Sequence, residues 1–320
     1  MKAIPWNGLT ISKSGLYSGV SLERYHGDLC DAPSISKSGM WDIASPDGSP
    51  AHFFHGSYLN PEAESYEESE ALIFGRGAHH LLLGESDFHH SFVIRPEEYP
   101  DPDRPGKFKP WNGNATWCKQ WLSVETRAGR TILKPDHIRA IRGISKSLSE
   151  HPLVQSGILN GLVEHTLVYR DRETGLWVKV RPDVVPTDDL AVSDLKTCVS
   201  VSDNAIDRAI GQFGYFLQGG LVRMAFREVF GSEIHSFSLV FVEKSAPYPV
   251  RVVTLKDIDL ELGEQMATTT LRLIAKCLDK GVWPGPGGLQ TDASYVEITP
   301  YARRDAEYRM ARMAEEVEAL

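Results

Sequence analysis

The chain has 320 residues, long enough for one large domain with an extension. Hydrophobic residues make up 42% and charged residues 24%, which excludes a largely disordered or fibrous chain. With 43 acidic against 34 basic side chains the formal charge is −9. That argues against a general electrostatic coat for nucleic acid or membrane, but leaves room for a local basic groove or a site built of carboxylates.

Residues 1–70 are turn-rich and read as an N-terminal extension packing on the core. The opening MKAIPWNGLTISKSG holds no continuous apolar run, so no secretory leader is expected. No stretch approaches the ~18 apolar residues of a membrane helix. Cys30, Cys118, Cys198 and Cys277 lie far apart, which disfavours a disulfide framework or zinc knuckle and suits a reducing cytoplasm. One pentapeptide occurs twice, as Ile11-Ser-Lys-Ser-Gly15 and Ile35-Ser-Lys-Ser-Gly39. Its plain reading is a pair of serine N-caps, with a short helix after Ser36 through Met40, Trp41 and Ile43. The echo at Ile144–Ser147 keeps no fixed period, so this is not a repeat protein.

Residues 71–302 read as the core domain. A helix is predicted from Glu67 to Leu83, ending in Gly75-Arg-Gly-Ala-His79-His80. The stretch Arg95–Asn114 holds five prolines and reads as a loop. Pro135 opens a second helix reaching about Glu150. Strands are predicted over Leu162–Tyr169, Leu176–Val180 and Leu190–Thr197, with a turn at Asp171–Gly175. Residues 203–230 have helical spacing in Ile206, Ile210, Phe213, Leu217 and Leu221. Strands Phe237–Val242 and Val250–Leu255 and a helix over Asp257–Asp279 follow, then a break at Trp283–Gly288. Residues 303–320 read as a charged C-terminal helix. This order predicts an α/β fold, a mixed central sheet flanked by helices.

The chemistry concentrates between residues 164 and 215. Arg181-Pro-Asp183 ends one predicted strand, and Asp194-Leu-Lys196 lies on the next. Asp194 and Lys196 project from one face of that strand. If the two strands pair, Asp183 approaches the same face. Two converging carboxylates suit a hard divalent cation, with Glu164 on the preceding strand as a possible third. Lys196 would sit beside the metal-bound water, to orient it or help deprotonate it. Such a set suits phosphodiester hydrolysis. An ordinary surface hairpin would use the same residues. What argues for a site is that Asp194 interrupts an otherwise apolar strand, which is costly without a partner. Gln212 and Tyr215, three apart on the predicted helix, would share a face and reach Lys196 or the phosphate. His79 is either a packing histidine or a ligand, and His80 points about 100° away from it. Gly75 and Gly77, unusual inside a helix, would permit close approach of a backbone or a nucleic-acid strand.

The ordered set Gly75-Arg-Gly-Ala-His79, Glu164, Arg181-Pro-Asp183, Asp194-Leu-Lys196 and Gln212-x-x-Tyr215 resembles the RecE-type nucleases. These form the exodeoxyribonuclease-eight-like branch of the PD-(D/E)xK superfamily, related to lambda exonuclease and the RecB nuclease domain. Gly15-Leu-Tyr17, Tyr25-His26, Ile35–Gly39, Pro50-Ala-His52, Trp283-Pro-Gly285 and Pro300-Tyr301-Ala302 extend the resemblance over about residues 15–302. It departs at Gly77, where alanine is commoner, and at the proline-rich 95–114 segment. The resemblance implies a PD-(D/E)xK core and a metal, Mg²⁺ or Mn²⁺, held by His79, Asp183, Asp194 and the Leu195 carbonyl. Glu164 would serve a second metal or its water, Lys196 would position the attacking water, and Gln212 and Tyr215 would support the lysine and phosphate.

The implied activity is degradation of the 5′ strand of linear double-stranded DNA, leaving 3′ overhangs for a single-strand-annealing recombinase in a bacterial host. A ring-shaped homo-oligomer is implied, with Arg208, Arg223 and Arg227 as candidates for a basic channel. Two other readings fit the same motifs: a related nuclease of other polarity or single-strand substrate, and a non-catalytic DNA-binding protein with a relic site. An iron–sulfur relative is set aside because only Cys277 lies near the C-terminus.

Overall fold

A computed structural model describes residues 2–64, 68–84, 88–187, 190–289 and 291–319. The chain divides into a unit of residues 1–286 and a second of residues 287–320. The first opens with β1 (Ile4–Pro5), β2 (Gly15–Ser18), α1 (Leu22–His26), β3 (Ser34–Ile35), α2 (Lys37–Ala44) and α3 (Pro50–Gly56). Then come α4 (Glu70–Leu82), α5 (Phe88–Ser91), β4 (Phe92–Ile94), β5 (Glu98–Pro100), β6 (Phe108–Pro110), α6 (Thr116–Arg127), β7 (Thr131–Leu133), α7 (Pro135–Glu150) and α8 (Pro152–Gln155). The remainder is β8 (Leu162–Val163), β9 (Thr166–Arg170), β10 (Trp177–Val180), β11 (Val184–Val185), β12 (Ala191–Cys198), α9 (Asp203–Gln212), α10 (Tyr215–Phe230), β13 (Ser236–Glu243), β14 (Val250–Thr254) and α11 (Asp257–Lys280). The second unit contains α12 (Pro300–Ala319). No helix among the described residues is long and apolar enough to cross a membrane.

Two five-stranded sheets carry the first unit, in the orders β1-β2-β9-β10-β3 and β14-β13-β12-β11-β8. They are joined by one bent hairpin. Its β9–β10 half pairs antiparallel in the first sheet, its β8–β11 half in the second. The bend falls at Glu164, whose φ is +55°, opposite Arg181-Pro-Asp183. Pro182 has no N–H for a ladder, which suits a point where the strand leaves one sheet for the other. The predicted strand Leu162–Tyr169 is therefore two strands, and Glu164 lies on neither.

In the second sheet β12 and β13 run parallel over eight residues, with a helical crossover between them. Helices cover both faces, so the strands read as apolar on both. Val192, Phe237, Leu239 and Phe241 pack with Leu217, Leu221, Leu260 and Leu271 of α10 and α11. The alternate residues Leu195, Val240 and Val242 pack with Phe74, Ala78, Ile141, Ile144 and Leu148 of α4 and α7. Asp194 and Lys196, sharing the face of Val192, consequently look toward α10.

Several expectations change. The first 70 residues supply three strands to the first sheet, so they are woven into the fold. The proline-rich segment forms an antiparallel ribbon, β5 with β6, in which buried Asp101 pairs with Arg104 and Lys109 at 2.9 and 2.8 Å. The helix α6 and the parallel pair β4–β7 have no counterpart in the sequence reading. The predicted helix start at Glu67 lies outside the described residues. Of the two pentapeptides only the second opens a helix, and Ser36 bonds the Ser38 hydroxyl at 2.9 Å in place of a helix N–H.

The predicted helix 203–230 is broken at Gly214, where φ is +60° and a Cβ would lie 2.5 Å from the Trp41 ring. Gly77 also has a packing cause: its Cβ would meet both Leu133 methyls at 2.8 Å, so it admits β7 and not a nucleic-acid strand.

Candidate active site

The register that pairs Val184 with Ser193 sets Asp183 opposite Asp194 at the end of β11. Both side chains are buried, Asp194 at 1% exposure. The Leu195 N–H donates to Asp183 Oδ2 at 2.6 Å. His79, near the end of α4, places Nδ1 3.2 Å from Asp183 Oδ1. The Lys196 ammonium pairs with Asp194 Oδ2, and Gln218 Nε2 donates to Asp194 Oδ1 at 2.6 Å. The Lys196 Nζ lies 4.8 Å from the centroid of the Tyr215 ring, which packs against Phe241. Four elements thus converge: α4, the β10–β11 bend, β12 and the start of α10.

The charges are strongly coupled. Burial pushes the Asp194 carboxyl above its ordinary value and Asp183 adds to this, with Lys196 opposing. Asp183 is itself held below its ordinary value, its burial outweighed by His79, Lys196 and the Leu195 N–H. Burial would lower His79, yet the neighbouring Asp183 pushes it up to about 9. Burial would also lower Lys196, and the two aspartates instead hold it above the usual lysine range. The two aspartates thus favour the ammonium form of Lys196.

The donor set fits a divalent cation. Two like-charged, desolvated carboxylates stand side by side, and a cation between them would offset both the repulsion and the burial cost that raise Asp194. Among the described residues no three His, Cys, Asp or Glu side chains already form a metal cage.

Of the residues singled out from sequence, His79, Asp183, Asp194, Lys196 and Tyr215 come together, and Leu195 joins them through its N–H. Glu164 lies at the bend, its N–H donating to the Asp183 carbonyl at 3.3 Å and its carboxylate 3.5 Å from Arg181. Gln212 is exposed and ends α9, beyond the break from Tyr215, so the two do not share a helix face. Gln218, which sequence reasoning missed, holds Asp194 instead. It lies three residues beyond Tyr215 on α10, the spacing that places two side chains on one face. Arg223 and Arg227 pair with Glu264. Arg208 is exposed on α9.

A sequence family described as "PDDEXK-like domain of unknown function (DUF3799)" matches residues 38–292. The chain belongs to this family. No curated protein sequence matches it. Among solved structures it is similar to a protein of Eubacterium rectale described as a "putative exonuclease", at 14% identity and a TM-score of 0.59. That match covers 88% of this chain and 96% of the other. An alkaline exonuclease from Laribacter hongkongensis matches at 11% identity and a TM-score of 0.26, over 52% of this chain and 86% of that one. The first likeness is one of fold alone, and the PDDEXK-like assignment rests on the family match over residues 38–292.

Proposed function

We propose that the protein is a divalent-metal-dependent DNA exonuclease, and that the site above is its catalytic centre. The observation carrying this reading is the juxtaposition of buried Asp183 and Asp194 with His79 on one side and Lys196 on the other. Asp183, Asp194 and the His79 imidazole would hold Mg²⁺ or Mn²⁺, with the Leu195 carbonyl and Glu164 as further candidates. When bound there, the cation would supply Lewis acidity at the phosphate and a water made nucleophilic near neutral pH.

The protein's own residues set the geometry. The Leu195 N–H fixes the Asp183 rotamer, and Gln218 fixes that of Asp194. Lys196, kept protonated and braced on the Tyr215 ring, places positive charge where the attacking water and the phosphate oxygens meet. Water attacks phosphorus and gives up a proton to bulk solvent as the new P–O bond forms, the ester P–O bond breaks, and the leaving oxygen takes a proton back from solvent, so the net change is hydrolysis of one ester. RecE-type resemblance in the motifs supports attack on the 5′ strand of linear duplex, 3′ overhangs for an annealing recombinase, and a ring-shaped homo-oligomer. The E. rectale protein of similar fold bears an exonuclease description, which agrees with the reading.

The test is digestion of end-labelled linear duplex in Mg²⁺ and in EDTA, beside the same plasmid as a closed circle. Degradation of the linear form only, lost in EDTA, is the expected result. Equal attack on closed circles would make the protein an endonuclease, and no attack on any DNA would refute the assignment.

A further inference from the structure

The second pentapeptide, Ile35–Gly39, is not explained by capping, and its central lysine is the residue to ask about. Lys37 is the first residue of α2. Its ammonium donates to the Phe213 carbonyl at the α9–α10 break, and lies 5.6 Å from the Trp41 ring centroid and 5.9 Å from that of Tyr215. Lys196 stands 4.8 Å from the same Tyr215 ring. Two ammonium groups therefore lie near the same Tyr215 ring, one of them paired with Asp194.

Their counter-charges differ. Lys196 is paired with Asp194, whereas Lys37 has no carboxylate within ion-pair distance among the described residues. Burial lowers the Lys37 pKa to about 8 and the like charge of Lys196 adds to the effect, with Asp194 and Asp42 opposing it. A half-buried cation donating to one carbonyl still has two N–H donors to place. A phosphate oxygen would provide both the missing charge and an acceptor.

We propose that Lys37 is a DNA-backbone contact, binding a non-bridging oxygen of the scissile phosphate or of its immediate neighbour, beside Lys196. The proposal rests on the nuclease reading and adds to it a substrate-binding residue from the N-terminal segment. It also gives an acidic protein a local cation directed at a polyanion. The aromatic faces of Trp41 and Tyr215 hold the ammonium in place without neutralising it.

Lys37 also satisfies the Phe213 carbonyl, so loss of activity on mutation would not by itself separate a contact from a brace. Counterion release does. Each phosphate neutralised contributes about −0.9 to the slope of log affinity against log salt on duplex DNA. Binding of a labelled duplex oligonucleotide is measured in EDTA, from 50 to 200 mM NaCl, for the full-length protein, Lys37→Met and Lys37→Arg. Lys37→Met should flatten the slope by about 0.9, so that its affinity falls roughly threefold less than wild type over that range. Lys37→Arg should keep the wild-type slope. A purely structural role would lower the melting temperature and weaken binding equally at all salts, and an unchanged slope in Lys37→Met overturns the contact alone. Absence of DNA binding and cleavage by the wild-type protein would overturn the nuclease reading and the contact with it.

Discussion

The helix pair α10–α11 gives a quantitative way to test whether packing remote from the carboxylates governs the site. The two helices cross at glycines. A Cβ on Gly263 would lie 2.2 Å from the Phe216 carbonyl oxygen, and one on Gly220 would lie 2.6 Å from the Glu264 nitrogen. At Gly263 that is more than 1 Å short of ordinary van der Waals contact, and the opposing atom is backbone. Leu217, Leu221, Leu260 and Ala267 around it are fully buried, so the strain has nowhere to relax. Gly263→Ala gains about 1 kcal/mol in helix propensity and loses roughly 1–3 kcal/mol to overpacking, a net loss of up to about 2 kcal/mol.

Phe216 lies between Tyr215 and Gln218, so pushing α10 away moves both site residues by about the same amount. A misplacement of about 1 Å costs on the order of 100-fold in rate. The assay is a thermal melt together with cleavage of end-labelled duplex at equal folded fraction. Gly211→Ala on α9, where a Cβ would meet nothing within 4 Å, is the control and should stabilise slightly with activity kept. If Gly263→Ala melts at or above wild type with full activity, the close crossing does not hold α10 in place and the reasoning fails.

Gln218→Leu should cut cleavage by at least tenfold while Gln212→Ala leaves it near wild type; steady-state rates in Mg²⁺ decide, and the reverse order would restore the Gln212 reading. His79→Ala should remove most metal-dependent cleavage, whereas His80→Ala, a buried ring between Phe88 and Phe92, should cost stability of no more than roughly 3 kcal/mol; cleavage rates and circular dichroism separate the two. In EDTA, the His79–Asp183 pair gives the stability curve a definite sign. The folded pKa of His79 is raised to about 9 from its ordinary 6.5, so its contribution is complete below about pH 6.5 and is lost as pH rises through about 9. Urea melts at pH 6.5 and 9.5 should show wild type losing more stability than His79→Gln, and equal losses would refute the pairing.

The site was legible where its geometry follows from local periods. Asp194 and Lys196 share a face because a strand alternates, and Asp183 meets them because a hairpin folds back on β12. The failures have a different origin. Helical spacing continues through residues 203–230, and only Gly214 hints that the helix stops. The Trp41 ring leaves no room there for a Cβ, and Trp41 Nε1 donates to the Gln212 carbonyl at 3.2 Å across 171 residues of sequence. Once the helix stops there, the useful glutamine moves from three residues before Tyr215 to three after it. Glu164 has no such hint: the strand changes sheets at a residue with φ +55° that is neither glycine nor asparagine. Both misreadings extend a correct local period through a residue whose conformation is set by tertiary contact. The contacts responsible at Gly214 come from α2, which a rule of spacing over three or four residues cannot reach. The pentapeptide at residues 35–39 opens that helix, and its lysine and the nearby Trp41 donate to the Phe213 and Gln212 carbonyls at the α9–α10 break.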